Sequence, residues 1–172
     1  MAAPKILRKK GSTKDFDFTF PDSGVTVKLK KVNPYITAEA RAQLSRSRPK
    51  PPTRIITEDG PLKGKEETME HDPDYIELLR KWEADVDERI MQLQIRRGVV
   101  SIEVDDWQDE VAQLRADMAE IGAAETLPED DTVVYICYIA SSTANDLQDF
   151  VAAVAMRSNP TQEAVDSAKE SF

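Results

Sequence analysis

One histidine and one cysteine are all that this 172-residue chain offers to thiol, imidazole and zinc chemistry. His71 stands between Glu70 and Asp72, and Cys137 lies inside the apolar run Val133-Val134-Tyr135-Ile136-Cys137-Tyr138-Ile139. No second histidine or cysteine exists to complete a zinc site, and Cys137 has no histidine beside it in sequence to draw off its proton. Its apolar setting predicts a small buried hydrophobe in a reducing cytoplasm. Two acidic clusters are the remaining candidates. Glu129-Asp130-Asp131 sits where a helix start attracts negative charge. Asp105-Asp106-Trp107-Gln108-Asp109-Glu110 lacks the alternating ligand spacing and central glycine of a calcium loop. Gly60-Pro61-Leu62-Lys63-Gly64-Lys65 has glycines and lysines, but neither the spacing nor the strand context of a phosphate loop. The expectation is a protein that is not an enzyme, with no catalytic residue, no cofactor and no metal.

The elements around these residues are mostly one-faced helices. The clearest opens at Asp72-Pro73-Asp74-Tyr75 and runs to Arg97, with Asp72 as cap, Pro73 at the first position and Gly98 as left-handed stop. Tyr75, Leu79, Trp82, Val86, Ile90 and Leu93 form its apolar stripe, against Glu77, Lys81, Glu83, Asp85 and Glu88 on the other face. Asp105 or Asp106 caps a second helix through Trp107, Val111, Leu114, Met118 and Ile121, ended by Gly122. Pro128 opens a third through Tyr138, although its β-branched residues leave a buried strand open. Ser142 or Thr143 caps a fourth carrying Leu147, Phe150, Val151 and Val154, and Asn159-Pro160-Thr161 starts a terminal helix ending on Phe172. Mutual burial of the stripes predicts a shared core of Trp82, Trp107, Val111, Tyr135, Ile139 and Phe150.

The N-terminal third reads differently. Phe16-Asp17-Phe18-Thr19-Phe20 and Val25-Thr26-Val27-Lys28-Leu29-Lys30 alternate strictly about the turn Pro21-Asp22-Ser23-Gly24, which predicts a β-hairpin. Pro34 then opens a short helix through Ile36, Ala40 and Leu44. Four prolines and two glycines in 17 residues, from Pro49 to Lys65, rule out a regular element there on this reading. Arg48-Pro49-Lys50-Pro51-Pro52 resembles a polyproline ligand, but a linker is the commoner reason for such a run. The chain thus divides into a flexible basic tail (1–14), a β-hairpin and short helix (15–45), a Pro-rich mobile linker (46–70) and a helical domain (71–172). The fold class is mainly α with a small N-terminal β-hairpin (α+β), built as a bundle of about five to six helices.

Charge separates along the chain. Residues 1–65 hold 15 Lys and Arg against 6 Asp and Glu, a net of +9, and residues 66–172 hold 8 against 26, a net of −18. The charged fraction, 32%, is high beside an apolar fraction of 40%, as in a helical protein with much solvated surface. No apolar run of about 18 residues exists to span a membrane, and the start lacks the apolar stretch of a secretory signal. The basic arm could touch nucleic acid, and Phe16, Phe18 and Phe20 could stack on bases. Yet no arginines interleave with them and the acidic body repels phosphate, so core packing is the better reading.

The order of segments is itself informative. A β-hairpin, a Pro-rich loop, a helix opening Asp72-Pro73-Asp74-Tyr75 with Trp82, then Gly98-Val99, Trp107, Thr132-Val133-Val134-Tyr135-Ile136 and the ending Pro160-Thr161-Gln162-Glu163-Ala164-Val165 to Ser171-Phe172 together resemble tail assembly chaperones of long-tailed bacteriophages with non-contractile tails. The resemblance spans residues 16–172. It implies a role in virion morphogenesis in the host bacterial cytoplasm: coating the tape-measure protein, and helping recruit tail-tube subunits such as the major tail protein without entering the particle. In that family a longer form often arises by ribosomal frameshifting. No active site is implied. Partner contacts are expected at Phe16, Phe18, Phe20, Tyr75, Leu79 and Trp82, with homo-oligomers open and neither nucleic acid nor membrane as a partner. The competing readings are a virion structural protein of the neck or tail, or a phage effector that binds a host protein.

Overall fold

Alternation at Phe16–Phe20 and Val25–Lys30 does produce a hairpin. In the computed structural model, which describes residues 15–58 and 60–158, β1 (Phe16–Thr19) and β2 (Thr26–Leu29) pair antiparallel, with Phe16 opposite Leu29 and Phe18 opposite Val27. Val27 and Leu29 are fully buried, whereas Asp17 and Thr19 on the alternate positions face solvent. A third strand, absent from the sequence reading, completes the sheet. β5 (Val99–Ile102) pairs antiparallel with β2, giving the order β1-β2-β5 with a bulge between Lys28 and Leu29.

The chain is mainly helical. Among the described residues there are five α-helices: α1 (Pro34–Ser45), α2 (Pro73–Gly98), α3 (Trp107–Glu120), α4 (Asp131–Val134) and α5 (Ala144–Ser158). The predicted basic tail, 1–14, and the predicted terminal helix, 159–172, lie outside the described residues. The fold divides into two compact units. One takes residues up to Val32 and from Ile95 onward, and the other takes Asn33–Gln94, so α2 passes from the second unit to the first. This is not the four-part division read from composition.

In the first unit the sheet meets α5 through three phenylalanines. Phe18 lies edge-on to Phe20 at 5.1 Å and to Phe150 at 5.3 Å, and Phe20 stacks on Phe150 at 5.3 Å. Trp107 at the start of α3 meets the ring of Tyr135 edge-on at 5.5 Å, and Val111 on the same helix is buried. Ile139 is only half-buried. Trp82 does not join this core: it belongs to the other unit and stays half-buried. A periodic stripe shows that a face must be covered, but not which elements share the cover.

The helix ends follow local chemistry closely, with three exceptions. Asp72 Oδ1 accepts from the N–H groups of Asp74 (3.0 Å) and Tyr75 (3.1 Å), as a cap should. Gly122 has φ +73°, and the N–H groups of Gly122 and Ala123 close on the carbonyls of Ala119 and Met118, which ends α3 in a Schellman turn. Thr143 and Asp146 cap α5 reciprocally. Thr143 Oγ1 accepts from the Asp146 N–H at 3.2 Å, and Asp146 Oδ2 accepts from the N–H groups of Ser142 and Thr143.

The first exception is Gly98, which is not left-handed but is the last residue of α2. A Cβ there would come within 3.1 Å of Val154 Cγ1 and 3.3 Å of Val32 Cγ2, so glycine serves close packing instead. The second is Asp106, which occupies the cap position of α3 at φ 60° without a side-chain cap bond; its carbonyl takes the N–H of Asp109 instead. The third is the helix expected from Pro128. It starts at Asp131, capped by Asp130 Oδ1 on the Val133 N–H, and widens into a π-helix over Tyr135–Ala140. The strand alternative for this segment is not adopted.

In the second unit, Asn33 Oδ1 caps α1 through the Tyr35 N–H at 3.0 Å, with Pro34 at the first position. The stretch expected to hold no regular element contains a hairpin, β3 (Thr53–Ile55) paired antiparallel with β4 (Glu66–Thr68). Pro49–Pro52 precede it, β-branched Thr53, Ile55 and Ile56 favour extension, and a cross-strand Arg54–Glu67 pair at 2.7 Å joins the strands.

Candidate partner-binding groove

Two of the segments singled out for chemistry have structural work. Arg115 on α3 donates to Asp131 Oδ1 (2.8 Å) and to the carbonyls of Pro128 (2.8 Å) and Glu129 (3.1 Å), so the cluster Glu129-Asp130-Asp131 caps α4 and ties it to α3. At the tip between β3 and β4, the N–H groups of Lys63, Gly64 and Lys65 donate to the carbonyls of Gly60, Ile56 and Leu62. A phosphate cradle needs such groups turned outward, and here they close a turn. Among the described residues no group of three or more His, Cys, Asp or Glu side chains converges as a metal-ligand set. No helix among them is long and apolar enough to cross a membrane.

The six residues expected to contact a partner separate into two sets. Phe16, Phe18 and Phe20 belong to the first unit, where Phe20 is fully buried and Phe18 packs on Phe150. Phe16 and Phe18 are half-buried. Tyr75, Leu79 and Trp82 lie on α2 within the second unit, and all three are half-buried.

Tyr75 and Leu79 form one wall of a groove of about 630 Å³, whose other wall is the chain leaving α1, from Ser45 to Pro51. Local bonds fix that wall. The N–H groups of Ser47 and Arg48 donate to the carbonyls of Leu44 and Ser45. Pro49, Pro51 and Pro52 then hold the backbone extended until the Met69 N–H takes the Pro52 carbonyl at 2.8 Å. Trp82 lies outside the lining but supports it, since its indole N–H donates to Ser47 Oγ at 3.3 Å. Arg41 on α1 also reaches Asp87 on α2 at 2.9 Å, an exposed pair of small energy.

The polar lining is lopsided. Arg46, Arg48 and Lys50 are exposed on the rim and make no ion pair among the described residues; Glu70 and His71 face them. Sequence reading treated Arg46–Pro51 as a linker and missed this wall. One signal was present: residues 40–57 hold five Lys and Arg and no acidic residue, within a chain of net charge −9. Comparison of the chain with protein-family models, curated proteins and solved structures returned no match.

Proposed function

We propose that this protein is a phage tail assembly chaperone, one that binds the tape-measure protein and assists tail-tube polymerisation without becoming part of the virion. The reading rests first on the segment order that resembles that family. The observation that carries it further is how unevenly apolar surface is buried. Within residues 33–94 the buried hydrophobic side chains are Val86 and Ile90, while Tyr35, Ile36, Ile55, Leu62 and Leu78 stay exposed. The helix α1 has no buried residue at all, and Tyr35 is 81% exposed. Apolar surface left open in a strongly charged chain suits a protein that shields the helices of a client. On this reading the protein acts by binding alone, in the host cytoplasm, with the major tail protein as a second partner.

Coexpression tests the proposal. A tape-measure fragment should stay soluble with this protein, aggregate without it, and co-elute with it on gel filtration. Equal precipitation in both cases, or presence of the protein in purified virions at fixed copy number, would transfer the assignment to a structural or effector role.

A further inference from the structure

The groove between the α1 exit and α2 has a definite chemistry, independent of which client the chaperone reading names. Its volume, about 630 Å³, lies within the roughly 300–1,000 Å³ usual for ligand sites. Tyr75 and Leu79 give it an apolar wall, and half-buried Pro49 and Pro51 stiffen the opposite side. Prolines restrict the backbone before any ligand arrives, so little ordering entropy is lost on binding. Arg46, Arg48 and Lys50 stand on the rim without ion-pair partners among the described residues, although nearby Arg41 and Arg54 are each paired with a carboxylate. With Glu70 as the one carboxylate in the lining, this leaves a net positive edge beside an apolar slot, within a chain of net charge −9.

We infer that this groove is a docking site for a short acidic segment of a partner protein, anchored by one large apolar side chain between Tyr75 and Leu79 and held by its carboxylates on Arg46, Arg48 and Lys50. Arginine favours carboxylates through paired N–H donors, and two of the three rim cations are arginines. Nucleic acid fits less well. Among the described residues only Tyr75 and His71 bring rings to the lining, too few to stack a run of successive bases.

The test uses the full chain and a fluorescently labelled peptide of Asp and Glu residues around a single Phe, followed by anisotropy. The peptide should bind saturably and weaken when its Phe is replaced by Ala. Binding should also fall by roughly tenfold or more in the triple variant Arg46→Glu, Arg48→Glu, Lys50→Glu, because like charges then face each other. These three side chains are exposed and outside regular elements, so circular dichroism should show an unchanged fold. Failure of the peptide to bind, or equal binding by the variant, would overturn the proposal. So would tighter, reversal-sensitive binding of an oligothymidylate probe, which would make the groove a nucleic-acid site. A salt-sensitive dimer in sedimentation that the triple variant dissolves would instead give it to the acidic body of a second copy. None of these outcomes depends on whether a tape-measure fragment is kept soluble, so the two proposals fail separately.

Discussion

Tyr135 shows how a single side chain ties packing to pH. Burial, and secondarily the negative charge of Glu110, raise its phenol above the ordinary value of 10.0. The unfolded chain therefore ionises first, and Tyr135 contributes stability that is complete below pH 10 and lost as pH climbs through the higher folded value. Tyr135→Phe should flatten the fall of Tm above pH 10 relative to the wild type while leaving the neutral-pH transition nearly unchanged. Parallel curves for the two proteins at alkaline pH would show that the ring is solvated there. At this scale the sequence was legible wherever the determining contacts are local. Asp72 and Thr143 each cap the residues directly after them, and cap chemistry needs nothing from elsewhere. Gly98 was misread because its reason, contact with Val32 and Val154, lies far away in sequence. Trp82 was misplaced for the same cause, so its truncation should cost less than the roughly 3–5 kcal/mol of a fully buried tryptophan.

At the scale of elements, α5 depends on a reciprocal cap whose acid is itself 5% exposed. Asp146 Oδ2 holds two backbone N–H groups, from Ser142 and Thr143, that would otherwise be left without a protein partner. Asp146→Ala should cost about 0.5–2 kcal/mol, measured by urea unfolding, and Asp146→Asn less because an acceptor oxygen remains. Equal losses in the two variants would mean that the carboxylate charge, rather than the bonds, does the capping. Helices were the readable elements here, since a stripe repeating every three or four residues survives any tertiary context. Three of the strands were not. β5 follows a helix directly and reads Val99-Val100-Ser101-Ile102 without strict alternation, and β3 and β4 span only three residues each, whereas β1 and β2 lie in longer alternating runs. The groove was lost with them: its basic wall sits in the stretch read as linker, and of its lining only Tyr75 and Leu79 were among the six residues named for a partner.

For the molecule as a whole, the decisive feature is that the first unit is assembled from two separated stretches. The Lys30 N–H donates to the Gly98 carbonyl at 2.8 Å, so the chain leaves this unit and returns to it at nearly the same point. Fold class was recoverable from pattern alone, but this interruption was not, because composition changes at the proline run rather than where the contacts divide. Joining Val32 to Ile95 through a short Gly/Ser linker should leave a protein that unfolds cooperatively and keeps the near-ultraviolet signal of Trp107 against Tyr135. A broad, non-cooperative melt would show that its core needs residues 33–94. The same pairing has a consequence for synthesis. β2 leaves the ribosome about seventy residues before β5, its neighbour in the sheet. At roughly 5–20 residues per second, the open edge of β2, which carries Val27 and Leu29, waits about 4–14 s for its partner strand. Translation speed across α1 and α2 thus sets how long a sticky β-edge is open to capture by neighbouring nascent chains.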